Sequence, residues 1–249
     1  GNESVSSGTL VIVLDATPAS APSSLDMTSE SDTGNTFAQS NDNTTSITRP
    51  IITGTADPGS KIQIFDAGVL IATHTMGSTG TFWSVELPDL AEGVHSITAK
   101  AIDPAENVSS ASSPLSITID TTSPSSPSKP DLDSADDTGS SNTDNETSKT
   151  DLTFSGTAPS NSLVKLTAYK ETGEESDSAE VTTSSGGEWT VDLELAVGTF
   201  TVTAQAIDTT GNVSSNSPEL TVVIYVEVPT PDAPDLQAGF DNGESSTDN

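Results

Sequence analysis

The chain repeats itself every 105 residues, and that period constrains its fold more than any single motif does. Asn2, Asn107 and Asn212 stand in three versions of one segment: "GNESVSSGTLVIVLDATPASAP", "ENVSSASSPLSITIDTTSPSSP" and "GNVSSNSPELTVVIYVEVPTP". Asp15 and Asp120 keep the same spacing, as do Gly34 and Gly139 in "SDTG" and "DDTG". So do Asp103 and Asp208, which close "HSITAKAID" and "FTVTAQAID". Trp83 and Trp189 hold it to within one residue. Cut at this period, residues 1–14 read as the C-terminal strand of a preceding repeat, 15–119 and 120–225 as complete repeats, and 226–249 as the start of a following one. The expectation is a segment excised from a longer array.

Each unit carries about seven short runs bounded by turn residues, in the first unit near 24–28, 50–56, 60–66, 69–75, 81–87, 94–102 and 114–119. Several alternate, with Ile97, Ala99 and Ala101 on one face and Ser96, Thr98 and Lys100 on the other. No stretch has a helical period. Hydrophobic residues make up only 31% of the chain, a level at which disorder must be considered. Runs such as "GTLVIVLD", "SKIQIFDAG" and "ELTVVIYVEV" are β-branched, turn-bounded strands and argue against it. The reading is all-β: tandem seven-stranded antiparallel immunoglobulin-like sandwiches arranged end to end, without a disulfide because the chain has no cysteine.

The formal charge is −30, from 37 acidic and 7 basic residues. Such a surface repels nucleic acid and anionic lipid and attracts cations. No apolar run approaches the roughly 20 residues needed to cross a bilayer. The partners expected are neighbouring repeats of the same chain and cations, with no direct membrane insertion and a monomeric state.

Together, "ITGTADPGSKIQIFDAG", "GTFWSVELPDLAEGVHSITAKAIDPAENVSS" and "SDTGNTFAQSNDNTT" resemble the bacterial immunoglobulin-like repeats arrayed in giant calcium-binding surface adhesins and biofilm proteins. The second unit matches with "FSGTAPSNSLVKLTAYKETG", "GGEWTVDLELAVGTFTVTAQAIDTTGNVSS" and "DDTGSSNTDNET". The resemblance implies an extracellular, bacterial cell-surface location and a structural extender that projects a distal adhesive domain. It also implies a bacterial setting in which the Asn-x-Ser/Thr triplets at Asn2, Asn43, Asn107, Asn145 and Asn212 are turn residues and not glycosylation acceptors.

The acidic segment "SADDTGSSNTDNET" and its version before it contain no Lys or Arg, and crowding carboxylates there is repulsive unless a cation joins them. Treating that segment as a linker at the end where each unit begins, the topology gathers Asp15, Asp32, Asp42 and Asp103 at one boundary. Asp120, Asp136, Asp137, Asp144 and Asp208 gather at the next. Calcium suits such a set, since it takes six to eight oxygen ligands from flexible loops. Zinc does not, with no thiolate and with His74 and His95 far away in sequence. "DLDSADDTG" lacks the twelfth-position Glu of an EF-hand, so the site is expected to be discontinuous. Asp and Asn are also ordinary turn formers, and that reading stands beside the metal one.

No motif marks a catalytic centre, and the chain is read as a non-enzyme. Neither histidine recurs, "SSGGEW" lacks the lysine and helix of a phosphate loop, and no carboxylate pair is singled out as glycosidases require. Trp83 and Trp189 precede alternating strands and are assigned to the core. Two other readings remain at this point. One is a glycan- or protein-binding module, which requires aromatics such as Phe65, Tyr169 or Tyr225 to cluster on one face. The other is an accessory segment of a secreted polysaccharide-degrading enzyme.

Overall fold

A computed structural model describes residues 14–34 and 42–228, and all regular structure among them is β-strand. The strand expected within residues 1–13, the middle of the first acidic segment and the last one, "GFDNGESSTDN", lie outside the described residues.

The first unit runs β1 (Ser23–Met27), β2 (Thr44–Thr45), β3 (Ile51–Thr55), β4 (Lys61–Asp66), β5 (Val69–Thr75), β6 (Phe82–Glu86), β7 (Gly93–Ile102) and β8 (Leu115–Ile119). The second runs β9 (Asp131–Leu132), β10 (Glu146–Thr147), β11 (Asp151–Thr157), β12 (Leu163–Lys170), β13 (Glu175–Thr182), β14 (Glu188–Glu194), β15 (Gly198–Ile207) and β16 (Leu220–Ile224). Each unit packs a three-stranded sheet, in the order β1-β3-β6 or β9-β11-β14, on a five-stranded one, in the order β2-β8-β7-β4-β5 or β10-β16-β15-β12-β13. This is the expected tandem sandwich.

The alternation read in the sequence builds the cores. Ile97, Ala99 and Ala101 of β7 are buried beside Ile62 and Ile64 of the neighbouring β4, in one core with Ile52 of the other sheet, and in the second unit Phe200, Val202 and Ala204 lie beside Val164 and Leu166 in one core with Phe154. Trp83 and Trp189 are buried, as expected. The ring of each lies where a side chain at Gly54 or Gly156 would project, which explains the glycine in "ITGTA" and "FSGTA". Beyond β7, an isolated bridge between Ile102 and Val108 starts a short polar edge. Along it Ser109 and Ser112 accept the amides of Ala101 and Ala99 on their hydroxyls, and Ser214 and Ser217 repeat this on Ala206 and Ala204. The "NVSS" runs are thus strand edges whose serine side chains take the place of backbone acceptors.

Each unit has one strand more than the seven expected. β2 and β10 are two residues long and pair in parallel with β8 and β16, while all the other pairings are antiparallel. They carry only threonines and a glutamate, so no hydrophobic pattern announces them, although Thr45 and Thr147 are fully buried. The first strand of the sandwich therefore crosses from one sheet to the other. The acidic segment is the crossover between its two halves.

That crossover lies at the trailing end of each unit. Thr45 pairs with Ile119 and Thr147 with Ile224, the last residues of the last strands. Gly93 also pairs with Ile119, whereas Ile102, just before Asp103, is at the opposite end of the ten-residue β7. At about 3.3 Å per residue, roughly 30 Å separates the two ends.

Candidate functional site

At the leading end of each unit, an aspartate and an asparagine four residues on form a staple. Asn107 donates its backbone N–H to Asp103 Oδ1 (2.8 Å), and its side-chain amide to Asp103 Oδ2 (2.9 Å) and to the Asp15 carbonyl (3.2 Å). In the second unit the amide of Asn212 reaches Asp208 Oδ2 (3.1 Å) and the Asp120 carbonyl (2.9 Å). Asp208 Oδ1 also accepts the N–H groups of Thr210 and Asn212, both at 2.9 Å, and the Thr210 hydroxyl at 2.8 Å. The Asn107 side chain, chiefly, holds the Asp103 carboxyl below the usual carboxylate range. Asp15 and Asp120 each accept the amide two residues on, Thr17 and Thr122, at 3.0 Å. The motif "AID…N" thus fastens the incoming chain through a main-chain carbonyl.

At the trailing end, the acidic loops bury a carboxylate. Asp32 and Asp137 are each 5% exposed. Asp32 Oδ2 accepts the N–H of Asn43 (3.1 Å) and Asp137 Oδ2 that of Asn145 (3.0 Å). Both asparagines sit at positive φ, 61° and 60°, a backbone conformation that Asn tolerates better than most residues. Oδ1 of each aspartate, and Oδ1 of Asn43, is buried without a hydrogen-bond partner. Burial pushes the Asp32 carboxyl up; the Asn43 amide partly offsets this, and the charges of Asp42 and Asp26 add to it. Asp42 and Asp144 cap their own loops through the N–H groups of Thr44 (2.9 Å) and Glu146 (3.2 Å). Asp136 is differently placed: Lys149 Nζ lies 2.8 Å from its Oδ1 and the Thr153 amide 2.9 Å from its Oδ2. The lysine, first, holds its carboxyl below the usual range.

These positions correct the grouping of carboxylates expected from sequence. Asp15 and Asp103 meet at the leading end of the first unit, but Asp32 and Asp42 lie at its trailing end. Asp136, Asp137 and Asp144 lie at the trailing end of the second unit, the length of β15 away from Asp208. The acidic segment follows β1, and that strand carries the chain along the sandwich before the loop begins, so the segment belongs to the junction after its own unit. The joint between the two units therefore collects Asp32 and Asp42 from the first and Asp120 and Asp208 from the second. Across it the Thr33 hydroxyl donates to the Thr210 carbonyl at 2.7 Å. Among the described residues, no three carboxylates or imidazoles come close enough together to hold a metal ion.

A further participant at the joint was not singled out in the sequence. Glu92, in the turn before β7, accepts hydrogen bonds from Thr121 and Thr122 of the linker. It falls outside the acidic segments and has Val197 at the matching place in the second unit, so the repeat itself gave no signal. Of the aromatics named for a binding module, Phe65 belongs to β4 of the first unit, and Tyr169, in β12, and Tyr225 belong to the second. Lys100 lies over the Phe65 ring at 5.6 Å in the first unit, and at the trailing end of the second unit the Tyr225 hydroxyl donates to the Thr138 carbonyl at 3.3 Å.

The family of bacterial Ig-like domains matches residues 18–121 and 123–224. No curated relative matches the chain in sequence. Among solved structures it is similar to the fibronectin(III)-like modules of Clostridium thermocellum CbhA, at 13% identity over 81% of this chain and 94% of that one, with a TM-score of 0.45. It is similar to a tetra-tandem repeat in the extending region of a large adhesion protein, at 25% identity and TM-score 0.31, covering 84% of this chain and half of that one. A structure of a 1.5-MDa bacterial ice-binding adhesin gives 17% identity and TM-score 0.41, over 85% of this chain and 66% of that one. With both sandwiches matched over nearly their whole length, the chain belongs to the bacterial Ig-like domain family.

Proposed function

We propose that the chain is a structural extender, a run of sandwiches that holds a distal adhesive element away from a bacterial surface. The observation that carries this reading is the linker. Residues 120–122 are gripped from both sides, the Asp120 carbonyl by Asn212 of the second unit and Thr121 and Thr122 by Glu92 of the first. Tandem domains joined by a free tether swing. A connection whose first three residues are hydrogen-bonded to both neighbours resists swinging, which is what a spacer that must project requires.

Calcium at the joint completes the reading. Of the carboxylates at the joint, Asp32, beside Asn43, is the one that would anchor it, since no three carboxylates among the described residues stand close enough together to share an ion. Their donors are all oxygen, the class calcium prefers. The buried, unpartnered Oδ1 atoms of Asp32 and Asn43 beside the joint fit a hard cation. The ion would offset the mutual repulsion of carboxylates brought together by two units. With an extracellular-type dissociation constant of roughly 0.1 to 1 mM, tenfold excess calcium adds about 1.4 kcal/mol, enough to bias a joint though not to carry a fold.

Small-angle scattering of the chain in calcium and in chelator tests both parts. The extender reading expects a narrow distribution of end-to-end dimensions in either condition, narrower in calcium. Freely jointed units in both conditions would sink it, while dimensions that ignore calcium would remove the ion alone.

A further inference from the structure

We propose that the β5 side of the first unit is a docking edge for a second copy of this chain, which lays its own β5 antiparallel to the first. This goes beyond the extender reading and rests neither on it nor on an ion. β5 ends the five-stranded sheet, paired with β4 alone, and the adjacent β6 ends the three-stranded one. An edge strand presents backbone groups to any strand that can pair with them, and proteins commonly blunt it with charge. The Met76 N–H reaches inward to the Ser60 carbonyl at 2.9 Å, so by the alternation of a strand Thr73 and Thr75 turn their N–H and C=O groups outward. The irregularity of this ribbon, between the Ile64 and Phe65 pairings, falls at its hairpin end and leaves that stretch regular. No acid or base blunts it: between Asp66 and Glu86, His74 is the one ionisable side chain.

The second unit, built on the same fold, protects the matching side. Its edge strands β13 and β14 carry Glu175, Asp177, Glu180, Glu188, Asp192 and Glu194, and Glu180 pairs with Lys165 where Thr73 pairs with Gln63. The charge pattern also selects the occupant. A basic partner is drawn to the acidic faces of a chain of charge −30 and finds no carboxylate on β5. Two copies repel each other wherever acids meet, and approach closely only through a side that has none. The apolar residues there are self-complementary. Val69 and Leu70, 66% and 47% exposed, open β5, while Phe82, 66% exposed, opens β6 beyond the turn at the other end of β5, roughly 20 Å along the strand. Antiparallel pairing about a two-fold axis brings Val69 and Leu70 of each copy toward Phe82 of the other, which parallel pairing does not.

The test is sedimentation velocity and amide NMR of the full chain over a range of concentrations, in chelator so that no cation bridges the copies. The inference expects a monomer–dimer equilibrium with dimer evident by about 1 mM, since one strand from each copy makes a contact at the small end of protein interfaces. Shifts that move with concentration should fall on Thr73, Thr75 and Phe82 and leave β13 and β14 silent. Added salt should strengthen the dimer, because screening relieves the repulsion between two acidic chains and weakens no ion pair across the contact. Thr73→Glu gives the first unit the residue that the second has at Glu180. It should weaken the dimer at least about tenfold, because the two-fold axis brings like charges together, while the melting of the first unit stays level. A monomer at every concentration, a dimer indifferent to Thr73→Glu, or shifts centred on the second unit would each overturn the proposal. So would species that grow beyond a dimer, because a two-fold contact closes. Should Thr73→Glu fail to fold, the wild-type shift map and a weakened dimer in Phe82→Ser decide the question.

Discussion

Glu92 takes both hydrogens that Thr121 can offer: its Oε2 accepts the backbone N–H at 2.9 Å and the hydroxyl at 2.6 Å, while Oε1 accepts the Thr122 hydroxyl at 3.1 Å. The carboxylate is thereby held below its usual range, first by the Thr121 hydroxyl and then by the Thr121 amide. Glu92 is on the surface, so its loss should leave the unfolding of either unit unchanged and act on the joint. Glu92→Ala is expected to widen the distribution of inter-unit orientations, read from residual dipolar couplings of the two sandwiches. The sign with pH follows from the lowered carboxyl: the grip is present above the ordinary value of 4.5 and is lost only as pH falls through the lower folded value. Loosening of the wild-type joint already between pH 7 and pH 5 would contradict this assignment.

The second prediction concerns Gly54 and Trp83. A Cβ built on Gly54 would lie 2.5 and 2.8 Å from ring atoms of Trp83, which is itself 1% exposed and cannot swing aside without breaking the core. Gly54→Ala should therefore destabilise the first unit by about 1–3 kcal/mol, the range for overpacking a filled interior. The two cores share no residues, so calorimetry should show one transition moved and the other in place. Gly156→Ala, against Trp189 at the same distances, should do the converse.

Asn212 carries the third. Its side-chain amide joins the Asp120 carbonyl to Asp208, so Asn212→Ala removes a partner from both. A hydrogen bond of this kind contributes about 1 kcal/mol, and chemical denaturation of the second unit should show a loss of that size. The loss should come with faster amide exchange at Thr121 and Thr122, because the linker is then held from the Glu92 side alone. Exchange rates unchanged at those two residues would mean that the staple does not restrain the linker.

The strands were legible because burial imposes its period on them: Ile97, Ala99 and Ala101 alternate with polar residues and are buried, and the two tryptophans recur at a core position. The repeat supplied the unit count by the same logic. What stayed hidden was held by polar contacts. β2 is Thr44–Thr45, buried through side-chain hydroxyls and a parallel pairing with β8, and nothing in its composition distinguishes it from loop. Missing it made the acidic segment look like a linker before the sandwich, when it is a crossover within it, and this misplaced Asp32, Asp42, Asp136, Asp137 and Asp144 by the length of a strand. Glu92 could not be found by comparing units, since its counterpart is Val197.

The last prediction rests on His95, one of the two histidines that do not recur between the units. Its Nδ1 lies 2.7 Å from Asp66 Oδ2 and its Nε2 2.8 Å from the Ala91 carbonyl. Both neighbours can only accept, so the ring satisfies them together only when both nitrogens carry a proton. Burial works against that charge, but the carbonyl and the carboxylate outweigh it and raise the histidine above its ordinary 6.5. A raised value means that the stabilisation is complete below pH 6.5 and is lost as pH climbs through the folded value. Each tenfold gain in proton affinity corresponds to about 1.4 kcal/mol. In the second unit Phe200 occupies the matching position, 1% exposed and packed in the core, with nothing to titrate. Melting the chain from pH 6 to pH 9 should therefore lower the transition of the first unit and leave that of the second level. His95→Phe should flatten the first as well, and a slope that survives the substitution would place the titrating group elsewhere.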